Sequence, residues 1–222
     1  MYLSISVESV NNTKEKSKNQ ELLKAAMAEL YFGAALASGV VAYAYVLPEN
    51  IENGIMKGSR IVAEYTALIK GLKRALDADI TKLTVFGPKL PVDQLNGVVP
   101  VKSSKALPLH SEAKDLLSKF RKIELNAVPQ KRNKAFSISV QALVEFFEGK
   151  AIARSREILD KNIRRVESLK FDVDGYVVDL GSETCNCPFF VKTNSSDVRK
   201  AGVVVRCQHI FAAEKFISRL KL

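Results

Sequence analysis

The residues best placed to do chemistry lie near the C-terminus, in Cys185-Asn186-Cys187-Pro188 and then Cys207-Gln208-His209-Ile210. They use all three cysteines of the chain and one of its two histidines. The pattern Cys-x-Cys … Cys-x-His supplies the four ligands of a closed tetrahedral zinc site. In an extended strand, residues two apart point to the same side, so Cys185 and Cys187 can offer both sulfurs to one ion. Cys207 and His209 repeat that step where a helical pattern begins, with Ile210, Ala213, Ile217 and Leu220 on one stripe. Three buried thiols beside a core histidine would leave the paired spacing unexplained. A disulfide framework fits worse, because the cysteine count is odd and no secretory signal argues for an oxidising compartment. Four protein ligands leave no position for a substrate water, so the expected zinc is structural.

Tyr176-Val177-Val178, followed by Cys185-x-Cys187-Pro188-Phe189 and Cys207-x-His209-Ile210, resembles a SWIM zinc finger. The resemblance runs from about Tyr176 to Ile217. It implies a short strand pair and a helix clamped on zinc, a small ββα module of a kind implicated in binding DNA, RNA or proteins. So small a unit buries little core, and the metal would supply on the order of 10 kcal/mol of its folding free energy.

The rest of the chain must position that centre and whatever it serves. With 222 residues and 47% apolar content, there is room for one medium domain and one small one. A net charge of +10 points to an anionic partner, nucleic acid before an acidic membrane surface, although a basic surface can also serve solubility alone. No basic region followed by an apolar run opens the sequence, and the longest apolar run, Val40 to Leu47, is too short to cross a bilayer. A cytoplasmic protein without membrane partners is expected.

Alternation of Leu3, Ile5 and Val7 with polar residues reads as a strand, 11–19 as a lysine-dotted loop, and 22–30 as a short helix. Leu30–Ala35 and Val40–Leu47 read as adjoining strands, with a turn over Asn50–Asn53. Ile61, Tyr65, Leu68, Leu72 and Leu76 recur at helical spacing with Lys70, Lys73 and Arg74 opposite, predicting a helix over 61–76. A strand over 82–87, a short helix over 92–97, a helix over 111–120, a strand over 122–128 and a long helix over 132–148 follow. Such alternation favours an α/β domain around a mixed sheet. Lys150 to Arg165 reads as a basic helix burying Ile152, Leu159 and Ile163, a stiff connection to the strand and turn over 169–176. His110 reads as a lone exposed histidine.

Val62-Ala63-Glu64-Tyr65-x-Ala67-Leu68-x-x-Gly71-Leu72 is similar to the first helix of RNase H-like proteins. Leu83–Gly87, Val92–Gly97 and Val128-Pro129-Gln130-x-Arg132-Asn133-Lys134-Ala135 resemble that family's next strand, next helix and approach to its last helix. The resemblance covers about Leu30 to Leu143 and implies an RNase H-like mixed sheet flanked by helices. The expected organisation is an N-terminal extension (1–28), an RNase H-like domain (29–149), a helical linker (150–168) and a SWIM-type finger (169–222).

Active members of that family hold two magnesium ions with four acidic side chains. The resemblance puts the first at Phe32-Gly33-Ala34, the second at Glu64, the third at Pro88 and the fourth at Phe136. Two-metal hydrolysis needs several carboxylates to hold two dications close together, and one glutamate does not suffice. Asp79 and Asp93 fall at none of the missing positions. A degenerate scaffold is therefore expected, with no catalytic magnesium and Glu64 as a vestige.

Lysines and arginines that could hold phosphates are Lys119, Arg121, Lys122, Lys131, Arg132, Lys134, Arg154, Arg156, Arg164 and Arg165, with Arg199, Lys200 and Arg206 beside the zinc ligands. Interspersed Glu112, Asp115, Glu124, Glu145 and Glu148 are equally compatible with a solvated surface. The expected function is binding of DNA or RNA without cleavage, within a ribonucleoprotein or a recombination or repair assembly. A zinc-stabilised adaptor for a protein partner and an active nuclease with relocated carboxylates are the alternatives.

Overall fold

The computed structural model describes residues 27–220. The strand expected over Leu3–Val7, the loop over 11–19 and most of the helix over 22–30 lie outside them. The described end of that helix is a strand instead. Ala28–Ala37 forms β1, the centre of a five-stranded sheet. It turns through Ser38-Gly39, both at positive φ (47° and 78°), into antiparallel β2 (Val40–Leu47). Two left-handed residues in a row suit the twist of a two-residue hairpin.

Asn50–Asn53, expected as a turn, instead opens β3 (Asn50–Lys57), which pairs antiparallel with β2 from Leu47↔Asn50 onwards. Pro48 and Glu49 make the turn. The strand was hidden because it lies at the sheet edge, alternating exposed and half-buried residues with few apolar ones. Helix α1 (Arg60–Asp77) follows, then β4 (Lys82–Gly87), α2 (Lys89–Leu95), α3 (Leu107–Leu117) and β5 (Lys122–Ala127). Strands β1, β4 and β5 run parallel, and the sheet order is β3-β2-β1-β4-β5. This is the mixed sheet that the resemblance implies.

Helix α1 buries Tyr65, Leu68 and Leu72 against Leu30, Phe32, Tyr45 and Leu83, the main core. Gly71 is needed there, because a Cβ would stand 2.6 Å from Leu30 Cδ1. The opposite sheet face receives α4 (Lys134–Ser155), whose Phe136, Val140 and Leu143 pack on Ala35, Ala37 and Ala42. Asn133 caps this helix, its side-chain oxygen accepting from the amides of Ala135 and Phe136.

The basic helix expected to continue to Arg165 ends at Ser155. Ile152 and Leu159 are 40% and 54% exposed, whereas Ile163 is buried in a strand. That strand, β6 (Ile163–Arg165), starts an antiparallel sheet in the order β6-β7-β8-β9, with β7 Lys170–Val173, β8 Tyr176–Asp179 and β9 Thr184–Cys185. Helices α5 (Pro188–Asn194), α6 (Asp197–Lys200) and α7 (Gln208–Leu220) complete the second unit. It is therefore larger than a ββα finger and begins at the residues expected to be linker. Its core joins Phe171, Val173, Val178 and Ile210 to the three cysteines. No helix among the described residues is long and apolar enough to cross a membrane.

Candidate metal centre and nucleic-acid interface

Strand β9 stops at Cys185, paired with Val178 of β8. Asn186 carries that pairing one residue further, its amide donating to Val177 O (3.2 Å) and its side-chain oxygen accepting from Val177 N (2.9 Å). Cys187 follows, still extended (φ -67°, ψ 148°), as the cap of α5. The two sulfurs thus come from one extended segment, as their spacing predicts. Cys207 precedes α7 and His209 lies in its first turn, as the spacing predicts.

Cys185, Cys187, Cys207 and His209 are all buried, and their ligand atoms lie within 4.8 Å of one another. His209 Nδ1 is 3.7 Å from Cys185 Sγ and 3.9 Å from Cys207 Sγ. A tetrahedron with Zn–S bonds of roughly 2.3 Å has edges of about 3.8 Å, so the set matches a zinc ion in size as well as chemistry. Backbone amides also point at the sulfurs: Cys187 N donates to Cys185 Sγ and Phe190 N to Cys187 Sγ, both at 3.4 Å. Such donors stabilise thiolates. Tyr176 stacks on the imidazole at 4.6 Å between ring centres and fixes its orientation.

The thiols share protons unequally. Hydrogen bonds with Cys187 and then Cys207 push the Cys185 pKa up, and the hydrogen bond from Cys185 is the main cause holding Cys187 down. Burial works against the imidazolium of His209, but hydrogen bonds with Cys187 and Cys207 outweigh it and raise the pKa to about 9. The Cys3His group is consistent with a structural zinc. Among the described residues it is the one group of three or more cysteine, histidine or acidic side chains close enough to hold a metal.

On the five-stranded domain, three of the four positions at which the resemblance puts acids carry no carboxylate. The ring of Phe32, fully buried, lies where a Cβ on Gly87 would be, against the end of β4. Pro88 follows as the cap of α2. Phe136 is buried between α4 and the sheet. The Asn133 amide donates to Phe32 O (2.9 Å) and the Ser139 hydroxyl to Gly33 O (3.2 Å), so α4 is bolted to the middle of β1. Glu64 is 5% exposed, and burial raises its pKa to about 8 despite the opposing charge of Arg60.

Arg60 itself forms an ion pair with Asp197, at the start of α6 in the second unit. The buried Asp197 carboxylate also accepts from Leu36 N (2.9 Å) and faces Lys200 Nζ at 3.7 Å. Nearby, the hydroxyls of Ser38 and Thr193 share a 2.8 Å hydrogen bond. Val198 and Val205 pack among Ala35, Ala37 and Phe147. Arg206 donates to both carboxylate oxygens of Glu148 on α4 (3.1 and 3.2 Å) and also meets Glu214 at 3.4 Å. It ties the two units together, a role different from the phosphate contact expected of it.

The other basic candidates do not form one surface. Lys119, Arg121 and Lys122 stand at the start of β5, and Lys131 and Arg132 in a helical turn (Gln130–Arg132) after its end. The six residues of β5 span about 20 Å. Arg154 and Arg156 lie at the far end of the 22-residue α4, about 33 Å from Lys134 at its start. Closeness in sequence was misleading because a regular element carries the chain away. Lys122, Lys134, Arg164 and Lys200 meet Glu124, Glu29, Asp172 and Asp197 respectively. Arg165 donates to the carbonyls of Glu167 and Ser168. Lys119, Arg121, Lys131, Arg132, Arg154, Arg156 and Arg199 form no ion pair with a described residue. His110 is half-buried, with Nε2 3.3 Å from Gln94 O and its ring edge-on to Tyr65.

Sequence reasoning missed Asn133, whose place before a helix start could have marked it as a cap. It also missed Asp197, whose partner Leu36 is 161 residues away and leaves no local signal.

Residues 52–141 match a family model described as reverse transcriptase-like. Over 89 residues the chain is 38% identical to the bifunctional protein Rv2228c of Mycobacterium tuberculosis, covering 40% of this chain and 24% of that protein. The match thus spans about a quarter of the curated relative's length. Among solved structures, the N-terminal RNase H domain of rv2228c from Mycobacterium tuberculosis, a fusion with maltose binding protein, is 26% identical with a TM-score of 0.47, covering 53% of this chain and 98% of that one. LC11-RNase H1, solved in complex with an RNA/DNA hybrid, is 19% identical with a TM-score of 0.42, covering 49% and 88%.

Proposed function

We propose that this protein binds nucleic acid through the phosphate backbone without hydrolysing it, using a degenerate RNase H-like domain joined to a SWIM-type unit folded on structural zinc. One observation supports the reading: where the resemblance puts four acids the chain has Phe32-Gly33-Ala34, Glu64, Pro88 and Phe136, with Glu64 the one carboxylate and both phenyl rings buried. Lys131 and Arg132 sit just past the end of β5, the end at which parallel β4 also finishes beside Phe32.

Zinc would be held by Cys185, Cys187, Cys207 and His209. It would supply a fixed tetrahedral crosslink between β9, α5 and α7. A protonated Glu64 beside Arg60 cannot share two dications, whose combined charge needs several carboxylates. Phosphate recognition by lysine and arginine then gives affinity without base preference.

The test pairs binding with hydrolysis on the purified full chain. DNA, RNA and hybrid oligonucleotides should be retained at low salt, with the logarithm of affinity falling linearly with the logarithm of salt concentration. None should be cut with magnesium or manganese. Hybrid cleavage abolished by Glu64→Gln would overturn the reading in favour of a nuclease. Absence of retention below ~100 mM salt would overturn it in favour of a protein adaptor.

A further inference from the structure

Helix α4 covers only part of its sheet face. Its packing reaches Gly33, Ala35 and Ala37 of β1, but Tyr31, two residues earlier on the same face, is left half-buried. Tyr31 stacks on Phe86 of β4, with centroids 4.8 Å apart and planes inclined by 20°. Across the sheet the same row continues through Val46 to Ile51, which is 60% exposed. A recess of about 460 Å³ opens here, lined by Tyr31, Val46, Pro48, Ile51, Glu29 and Lys134. That volume falls within the roughly 300–1,000 Å³ of small-ligand pockets.

The rim of this recess is charged. Lys134 Nζ lies over the Tyr31 ring, 4.6 Å from its centre, and 3.6 Å from the Glu29 carboxylate, so with Phe86 stacked on the ring as well a base takes the place of Lys134 as its ammonium moves off to a phosphate. Both partners of that ion pair are more than half exposed, so exchanging Glu29 for another anion costs little. Lys131 and Arg132 lie on the turn that immediately precedes Lys134. An aromatic floor with cations along one side has the two parts a nucleotide needs: a ring face for the base and positive charge for its phosphates. A paired base presents no free ring face, whereas an unpaired one does.

We infer that the part of the sheet left open by the described residues is a stacking site for an unpaired base of single-stranded nucleic acid, with the base on Tyr31 and the flanking phosphates on Lys131, Arg132 and Lys134. This inference rests on the nucleic-acid reading above and gives it a strand preference.

The experiment measures the affinity of the full chain for a labelled oligothymidylate and for an abasic oligonucleotide of equal length. Both carry the same phosphates, and only one carries bases. The expected result is tighter binding of oligothymidylate. Tyr31→Ala should weaken that binding by roughly 5- to 100-fold and leave the abasic affinity unchanged, while Tyr31→Phe restores it. Lys131→Ala and Arg132→Ala should weaken both probes alike. Equal affinity for the two probes, insensitive to Tyr31→Ala, would overturn the stacking site and leave phosphate binding standing. If neither probe binds, both readings fall. Displacement of oligothymidylate by a synthetic peptide of residues 1–26, dependent on Tyr31, would make the chain's own start the occupant and likewise overturn it. Unchanged thermal unfolding of Tyr31→Ala shows that the loss is not one of folding.

Discussion

Glu64 shows how burial alone can set the charge of a side chain. Its carboxyl is kept from water by burial, and with a pKa of about 8 it is largely protonated at neutral pH. The folded state therefore holds a proton that the unfolded chain, titrating near 4.5, has already released. The sign follows: stability falls as pH rises from about 4.5 through about 8. Glu64→Gln should flatten this dependence and stabilise the protein at pH 8, by on the order of 2–4 kcal/mol, while changing little at pH 4. Urea unfolding at a series of pH values reads both effects. At the metal centre, Cys207→Ser should abolish bound zinc in elemental analysis. Chelation should speed hydrogen exchange at the amides of Cys187 and Phe190, which donate to sulfur.

At the scale of elements, the seam between the two units hangs on Asp197. Asp197→Ala would strand Arg60, which is about one-third exposed, and deprive Leu36 N of its acceptor. A cost of about 2–3 kcal/mol in urea unfolding is expected, below the fully buried range because water still reaches Arg60. The sequence made some elements plain and hid others for physical reasons. The Cys3His cluster was legible because metal coordination imposes short local spacings, and α1 because one apolar stripe repeats over four turns. Strand β6 was illegible because its identity comes from pairing Ile163–Arg165 with Phe171–Val173, not from its own pattern. The Asn50–Asn53 stretch was misread because the turn lies at Pro48-Glu49. The metal unit looked smaller in sequence than it is, since helices α5 and α6 occupy the space between its two ligand pairs.

Among the described residues, the basic side chains that form no ion pair fall in separate clusters, set apart by the lengths of β5 and α4. A short oligonucleotide can therefore engage one cluster at a time, and the salt dependence of its binding should count only a few phosphates. Replacing Lys131 and Arg132 together by alanine should lower the salt slope by about 1–2, whereas replacing Arg154 and Arg156 should leave the slope for a short oligonucleotide unchanged. Titrations of each variant at several salt concentrations distinguish the two patches.

The contact of Val198 and Val205 with Ala35, Ala37 and Phe147 also limits how the protein can be dissected. A shortened version ending at Ser155 would keep every strand of the larger sheet yet bare an oily strip along β1 and α4. Recovered mainly from the insoluble fraction, it would be mistaken for an unstable domain when it is half of an interface. Separating the roles of the two halves calls for a point substitution that leaves this strip covered, not for scissors.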